Sequence, residues 1–249
     1  MAPTIFFIPG AWHKPWVFDT VRSVLSDRGY ETDALELATA GSEDAAVGVL
    51  DDTAKIRNTL SKIVDAGEDV LVVAHSYGGV PTSSAVQGLS KEQRAAEGKP
   101  GGIIMLLYLA AFTCPAGSTL LQALGGVFPD FWNVQGDFIT THDPVNTFYA
   151  DVEDTLANKA ATGLVQMPFN MATGISTYEP WNHDFRVGYI FAEEDQALPC
   201  SVQRMLASQF PPGSFTASLQ SSHSPFLSMP QVLADTLENA IRSTHNAID

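Results

Sequence analysis

The sequence predicts an α/β fold, a mostly parallel central sheet with helices on both faces. Three observations point there. Short runs at residues 5–9, 70–74 and 103–110 are apolar almost throughout, as expected of strands covered on both faces. These runs alternate with stretches of helical apolar spacing, the signature of parallel strands joined by crossover helices. The chain has 249 residues, 45% hydrophobic and 16% charged, enough for one domain with a sizeable core.

The elements follow in order. Residues 5–9 form the first strand, 17–28 a helix stopped by Gly29, 31–35 a short second strand, and 45–66 a helix closed by Gly67. Residues 70–74 are a strand, 78–89 the helix after it, and 103–110 another strand. A strand at 186–191, a helix at 199–210, a last strand at 214–219 and a helix at 231–242 complete the core. No internal repeat or low-complexity tract interrupts it. The stretch from about 115 to 184 breaks the rhythm with Gly125-Gly126, Pro129, Pro144, Pro168 and Pro180 among scattered aromatics. It is expected to be an inserted, mainly helical cap over the C-terminal edge of the sheet, where ligands bind in open α/β sheets. The expected division is therefore a core of 1–114 and 185–249 with a cap at 115–184. That cap holds eight acidic residues and a single cation, Lys159. This reads as a solvated acidic face, or as a site that disfavours anions.

The formal charge is −15 and no basic cluster occurs, which argues against nucleic acid and anionic membranes as partners. No apolar run reaches the ~18 residues of a membrane span. The apolar start lacks a basic leader and a cleavage pattern, so a cytoplasmic location is expected. Cys114 and Cys200 read as two free thiols rather than a disulfide framework. The sequence also allows a homodimer.

The chemistry centres on Ala74-His75-Ser76-Tyr77-Gly78. A buried strand runs into it and a small-residue helix leaves it. A serine at such a sharp turn is lifted out of the fold as a nucleophile. Small neighbours are required because strand and helix nearly touch there, and Ala74, Gly78 and Gly79 qualify. A serine hydroxyl needs a general base, and the base needs an orienting carboxylate. Of six histidines, His223 stands after the last strand and before the last helix, where a loop reaches back over the strand ends. His75 is expected to point away from the pocket and pack. The acid should fall between serine and base in chain order. Asp195, after the strand at 186–191, is the first choice, with Glu194 an alternative. An oxyanion hole needs backbone N–H donors. The amides of Tyr77 and of Ala11, in the loop Pro9-Gly10-Ala11-Trp12, are the candidates.

Together with Glu194-Asp195-Gln196-Ala197-Leu198-Pro199 and Ser222-His223-Ser224-Pro225-Phe226, these motifs resemble the α/β-hydrolase superfamily over nearly the full chain. The nearest likeness is to the small cap-bearing branch of plant methyl-ester esterases and hydroxynitrile lyases. That resemblance implies a Ser76–Asp195–His223 triad, an oxyanion hole at Ala11 and Tyr77, and neither metal nor organic cofactor. The chain departs from the branch at Pro9, where a histidine is usual, and at Ala74, where glycine is usual. The lyases carry threonine at the position of Gly10 and lysine at that of Ser224, so the lyase reading is disfavoured.

The expected activity is hydrolysis of a carboxylic ester or lactone of a small to medium, neutral, hydrophobic substrate. Trp12, Tyr77, Phe128, Trp132, Met167 and Trp181 are the candidate substrate contacts. Two alternatives stand. The same triad can run C–C cleavage of the retro-aldol or retro-Claisen type, because fold does not fix function. A non-catalytic ligand receptor on this fold is the other.

Overall fold

The computed structural model describes residues 2–183 and 185–245. Residues 1, 184 and 246–249, which include the last position of the expected cap and the end of the expected core, lie outside it.

Six strands form one sheet: β1 (Thr4–Ile8), β2 (Thr32–Ala34), β3 (Asp69–His75), β4 (Gly102–Leu109), β8 (Val187–Ala192) and β9 (Phe215–Leu219). Their order is β2-β1-β3-β4-β8-β9, and every neighbouring pair is parallel. β1 and β8 are buried at every position and β3 at all but its first, as the apolar runs demand. Connecting helices cover them. α1 (Asp19–Asp27) packs with α10 (Pro225–Ser228) and α11 (Pro230–His245), α2 (Val49–Asp65) packs with α3 (Gly79–Ala85), and α9 (Cys200–Ala207) packs on β8.

Several boundaries differ from the sequence expectation for local reasons. α2 begins at Val49, because the Asp51 carboxylate accepts from the Gly48 N–H at 2.8 Å and closes the first turn there. The helix after Ser76 stops at Ala85 instead of Leu89. The chain turns through Gly88, at φ 75°, into α4 (Lys91–Ala96), which Ser90 caps by accepting from the Gln93 N–H.

Between β4 and β8 stand α5 (Leu120–Ala123), α6 (Pro144–Phe148), α7 (Asp154–Thr162) and α8 (Asn170–Thr173). The same stretch also forms a three-stranded antiparallel sheet of β5 (Trp132–Gln135), β6 (Phe138–Thr141) and β7 (Met167–Pro168). Helix exceeds strand in this insert, but the sheet was not foreseen.

Because the six core strands are parallel, the loops after β1, β3, β8 and β9 leave from one edge. Those loops carry Ala11, Ser76, Asp195 and His223. No described helix is long and apolar enough to cross a membrane.

Candidate active site

Ser76 directly follows β3 and holds φ 53°, a left-handed conformation that a β-carbon makes costly. The turn is as tight as the sequence implied. A β-carbon on Gly78 would come 2.5 Å from the Pro9 carbonyl oxygen, and one on Gly79 2.4 Å from that of Phe112. Alanine is accommodated at 74 because that residue is still in the strand.

Asp195 and His223 meet after β8 and β9. His223 Nδ1 lies 2.7 Å from Asp195 Oδ2, and both side chains are buried. The carboxylate is fixed from several sides. Its Oδ1 accepts the N–H groups of Ala197 and Leu198 at 2.8 and 2.9 Å. Its Oδ2 also accepts from Gln203 Nε2 at 3.0 Å. Such a set of donors suits an ionised carboxylate and holds the imidazole with Nδ1 as donor. Glu193 is instead engaged by Arg204 and the Cys200 thiol, and the Glu194 N–H donates to the Ser221 carbonyl.

His75 is buried beside His223, with ring centroids 4.5 Å apart. It packs away from the cavity as expected, and its Nε2 also donates to the His223 carbonyl at 2.9 Å.

Ser76 and His223 open onto one cavity, together with Ala11, Trp12, Tyr77 and the insert's Trp132. Leu120, Leu124, Phe131, Met171 and Leu198 add apolar wall. Two polar groups of the wall are already committed. Trp12 Nε1 donates to the Ile139 carbonyl at 3.1 Å, and the Tyr77 hydroxyl donates to Asp52 Oδ2 at 2.7 Å. The unfilled space is about 30 Å³, room for one or two waters.

Three of the six candidate substrate contacts line this cavity: Trp12, Tyr77 and Trp132. The other three stand elsewhere and need correction. Phe128 lies outside, half-exposed, with its ring stacked on Trp132 at 6.0 Å. Met167 is fully buried in β7. Trp181, near the end of the insert, packs against Tyr108 and Phe210 of the core, at 6.3 and 5.8 Å. Aromatic content signalled a lined pocket but could not say which faces of the insert turn toward Ser76.

Residues that sequence reasoning passed over complete the setting. Asp52 on α2 is buried, and burial raises its pKa. It accepts from the Thr39 N–H at 3.0 Å and from the Thr39 hydroxyl at 2.7 Å, besides Tyr77. His13 and Tyr149 pair beneath the first loop. Ser222, beside His223, donates to the Phe148 carbonyl at 3.2 Å and to Asp151. A polar residue on the buried face of α2 was a readable signal for Asp52. The contacts to the insert span too much sequence to be read.

Gly10 has a steric role. A β-carbon there would stand 2.8 Å from Ser76 Cβ and 3.0 Å from His75 Nδ1, so a threonine fits only if the turn shifts. Ser224, at the lyase lysine position, is buried and supplies no cation. Cys114 and Cys200 are free thiols, and burial pushes that of Cys114 up to about 12. Among the described residues no group of His, Cys, Asp and Glu could hold a metal.

The chain is similar to known proteins. The alpha/beta hydrolase family pattern covers residues 5–236. The chain is 28% identical over 245 residues to the alpha/beta hydrolase nvfD of Aspergillus novofumigatus, spanning 96% of this chain and 97% of that one. It is 25% identical over 250 residues to a pyrethroid hydrolase of Sphingobium wenxiniae, spanning 94% and 85%. The solved structure of the methylesterase MES16 from Arabidopsis superposes with a TM-score of 0.77 at 20% identity, over 97% of this chain and 100% of that one; that likeness bears on the fold alone. A strained serine turn, a buried acid–histidine pair on the same sheet edge and a family match over residues 5–236 lead to one conclusion: the chain belongs to the alpha/beta hydrolase family.

Proposed function

We propose that this protein is a serine hydrolase that cleaves a carboxylic ester or lactone through an acyl-enzyme, with residues 115–184 acting as the cap. The observation that carries the reading is the 2.7 Å contact of His223 Nδ1 with buried Asp195, opening onto the same cavity as Ser76. In this reading His223 Nε2 takes the proton of the Ser76 hydroxyl as Oγ attacks the carbonyl carbon. The amides of Ala11 and Tyr77 donate to the oxyanion of the tetrahedral intermediate, each supplying about 3 kcal/mol of barrier lowering. His223 then protonates the leaving alkoxide, and water repeats the sequence on the acyl-enzyme. Asp195 keeps the imidazole in the required tautomer and stabilises its charged form.

The apolar wall, with the Trp12 indole and the Tyr77 phenol already bonded elsewhere, supports a neutral, hydrophobic substrate of small to medium size. The names of the similar methylesterases and pyrethroid hydrolase agree with ester cleavage.

The test is turnover of p-nitrophenyl acetate and butyrate with both products identified. A carboxylic acid and an alcohol in equal amounts, with a burst of p-nitrophenol equal to the enzyme, agree with the reading. Turnover of a β-diketone with none of either ester would move the assignment to C–C cleavage.

A further inference from the structure

The loop that carries Ala11 is held by His13 through its main chain and its imidazole. The His13 backbone N–H donates to the Gly10 carbonyl at 3.4 Å. That carbonyl and the Ala11 N–H are opposite sides of one planar trans peptide, so anchoring the first sets the direction of the second. The His13 ring takes the next peptide, with Nδ1 2.7 Å from the Ala11 carbonyl oxygen. A carbonyl can only accept, so Nδ1 carries the proton. Nε2 of a neutral ring is then an acceptor, and the Tyr149 hydroxyl, 2.8 Å away, donates to it.

Both residues are buried, and burial lowers the His13 pKa to about 4, which keeps the ring neutral around pH 7. Trp12, next to Ala11, holds φ 66°, a strained conformation that persists only under restraint. The insert adds further restraint. The Val165 N–H donates to the Trp12 carbonyl at 3.0 Å, and Trp12 Nε1 donates to the Ile139 carbonyl. Neither His13 nor Tyr149 lines the cavity.

We propose that His13 and Tyr149 are a positioning pair: Tyr149 fixes the tautomer of His13, and the His13 imidazole fixes the Ala11–Trp12 peptide so that the Ala11 N–H meets the transition-state oxyanion. This rests on the serine-hydrolase reading above. The pair acts on the transition state and touches no substrate, so its loss falls on kcat and leaves KM in place. It also makes the oxyanion donor depend on the insert being seated, since Tyr149 belongs to the insert.

The experiment compares Tyr149→Phe, His13→Leu and His13→Asn with wild type on p-nitrophenyl butyrate. Affinity for an aliphatic trifluoromethyl ketone, whose serine adduct presents an oxyanion, is measured alongside that for a simple alcohol inhibitor. The amide of asparagine can keep the bond to the Ala11 carbonyl that leucine loses. The expected result is a fall in kcat of about tenfold for Tyr149→Phe, short of the 10²–10³-fold of a deleted oxyanion donor. KM should hold within about twofold, ketone affinity should fall in parallel with kcat, and alcohol affinity should stay unchanged. His13→Leu should lose more than His13→Asn. Unchanged kcat in Tyr149→Phe, or equal losses in ketone and alcohol affinity, would overturn the positioning role. If one variant fails to fold, the same ketone-to-alcohol comparison is read on the others. A Ser76→Ala variant as active as wild type would overturn the hydrolase reading instead, and this proposal with it.

Discussion

His75 Nε2 donates to the backbone carbonyl of His223 at 2.9 Å, tying the serine turn to the histidine loop across 148 residues of sequence. Its other nitrogen, Nδ1, has no hydrogen-bond partner among the described residues. Burial holds its pKa well below 6.5, so the ring is a neutral, single-donor strut. His75→Phe keeps the packing against Phe226, at 4.9 Å, but strands a buried carbonyl. It should cost about 1–3 kcal/mol in urea unfolding and lower kcat more than KM. His75→Gln, which retains a donor, should lose less on both counts.

A pH dependence of stability follows from the buried histidines. Burial depresses His13 from 6.5 to about 4, and holds His75 well below 6.5. The unfolded chain therefore binds these protons first as pH falls. Their contribution is fully present above about pH 6.5 and is lost as pH falls toward the folded-state values. For His13 alone the window from 6.5 to about 4 corresponds to roughly 3 kcal/mol. Asp52 acts in the opposite sense, because burial raises its folded-state pKa above 3.8. Unfolding free energy measured from pH 7 to 4 should fall less steeply in His13→Asn than in wild type. Parallel curves would contradict the burial argument.

Asp52 should matter for stability without touching substrate. It accepts the Tyr77 hydroxyl and two donors of Thr39. Asp52→Ala strands all three, at roughly 1–3 kcal/mol for each one left buried and unpaired. Tyr77→Phe removes one partner only and leaves Thr39 on the carboxylate. Thermal unfolding should therefore rank Asp52→Ala clearly below Tyr77→Phe. The reverse order would show that the carboxylate is not the hub of this cluster.

Much of the core was legible because each buried parallel strand must be apolar on both faces, and the chain shows that at 70–74 and 103–110. The serine turn was legible because sterics leave so few residues that fit beside Ser76. The insert was read less well. Its hairpin did carry a signal: Gly136-Asp137 separates β5 from β6, with Gln135 paired to Phe138, and a two-residue loop opening on glycine is a hairpin pattern. Proline and glycine are dense throughout this stretch, so the hairpin pattern does not stand out in it. Phe128, Met167 and Trp181 were misplaced because composition reports that aromatics are present and not which way a face turns. His13 lay outside the expected machinery because its meaning depends on Tyr149, 136 residues away.

The cavity wall gives a specificity test. Trp132 lines the space beside Ser76, whereas Trp181 packs against Tyr108 and Phe210. Trp132→Ala should raise kcat/KM for p-nitrophenyl octanoate relative to acetate by at least several-fold. Trp181→Ala should leave that ratio alone and lower stability by about 3–5 kcal/mol, as large-to-small changes in a core do. A change of ratio with Trp181→Ala alone would place the acyl site on the wrong side of the insert.

The central claim is that Ser76 is the nucleophile and that His223, held by Asp195, activates it. The most direct measurement is the site and rate of labelling by a fluorophosphonate, mapped by peptide mass spectrometry in wild type, Ser76→Ala and His223→Ala. The adduct should appear on Ser76 in wild type, be absent from Ser76→Ala, and form at least about a hundredfold more slowly in His223→Ala. An adduct on another residue, or one forming at the wild-type rate without His223, would contradict it.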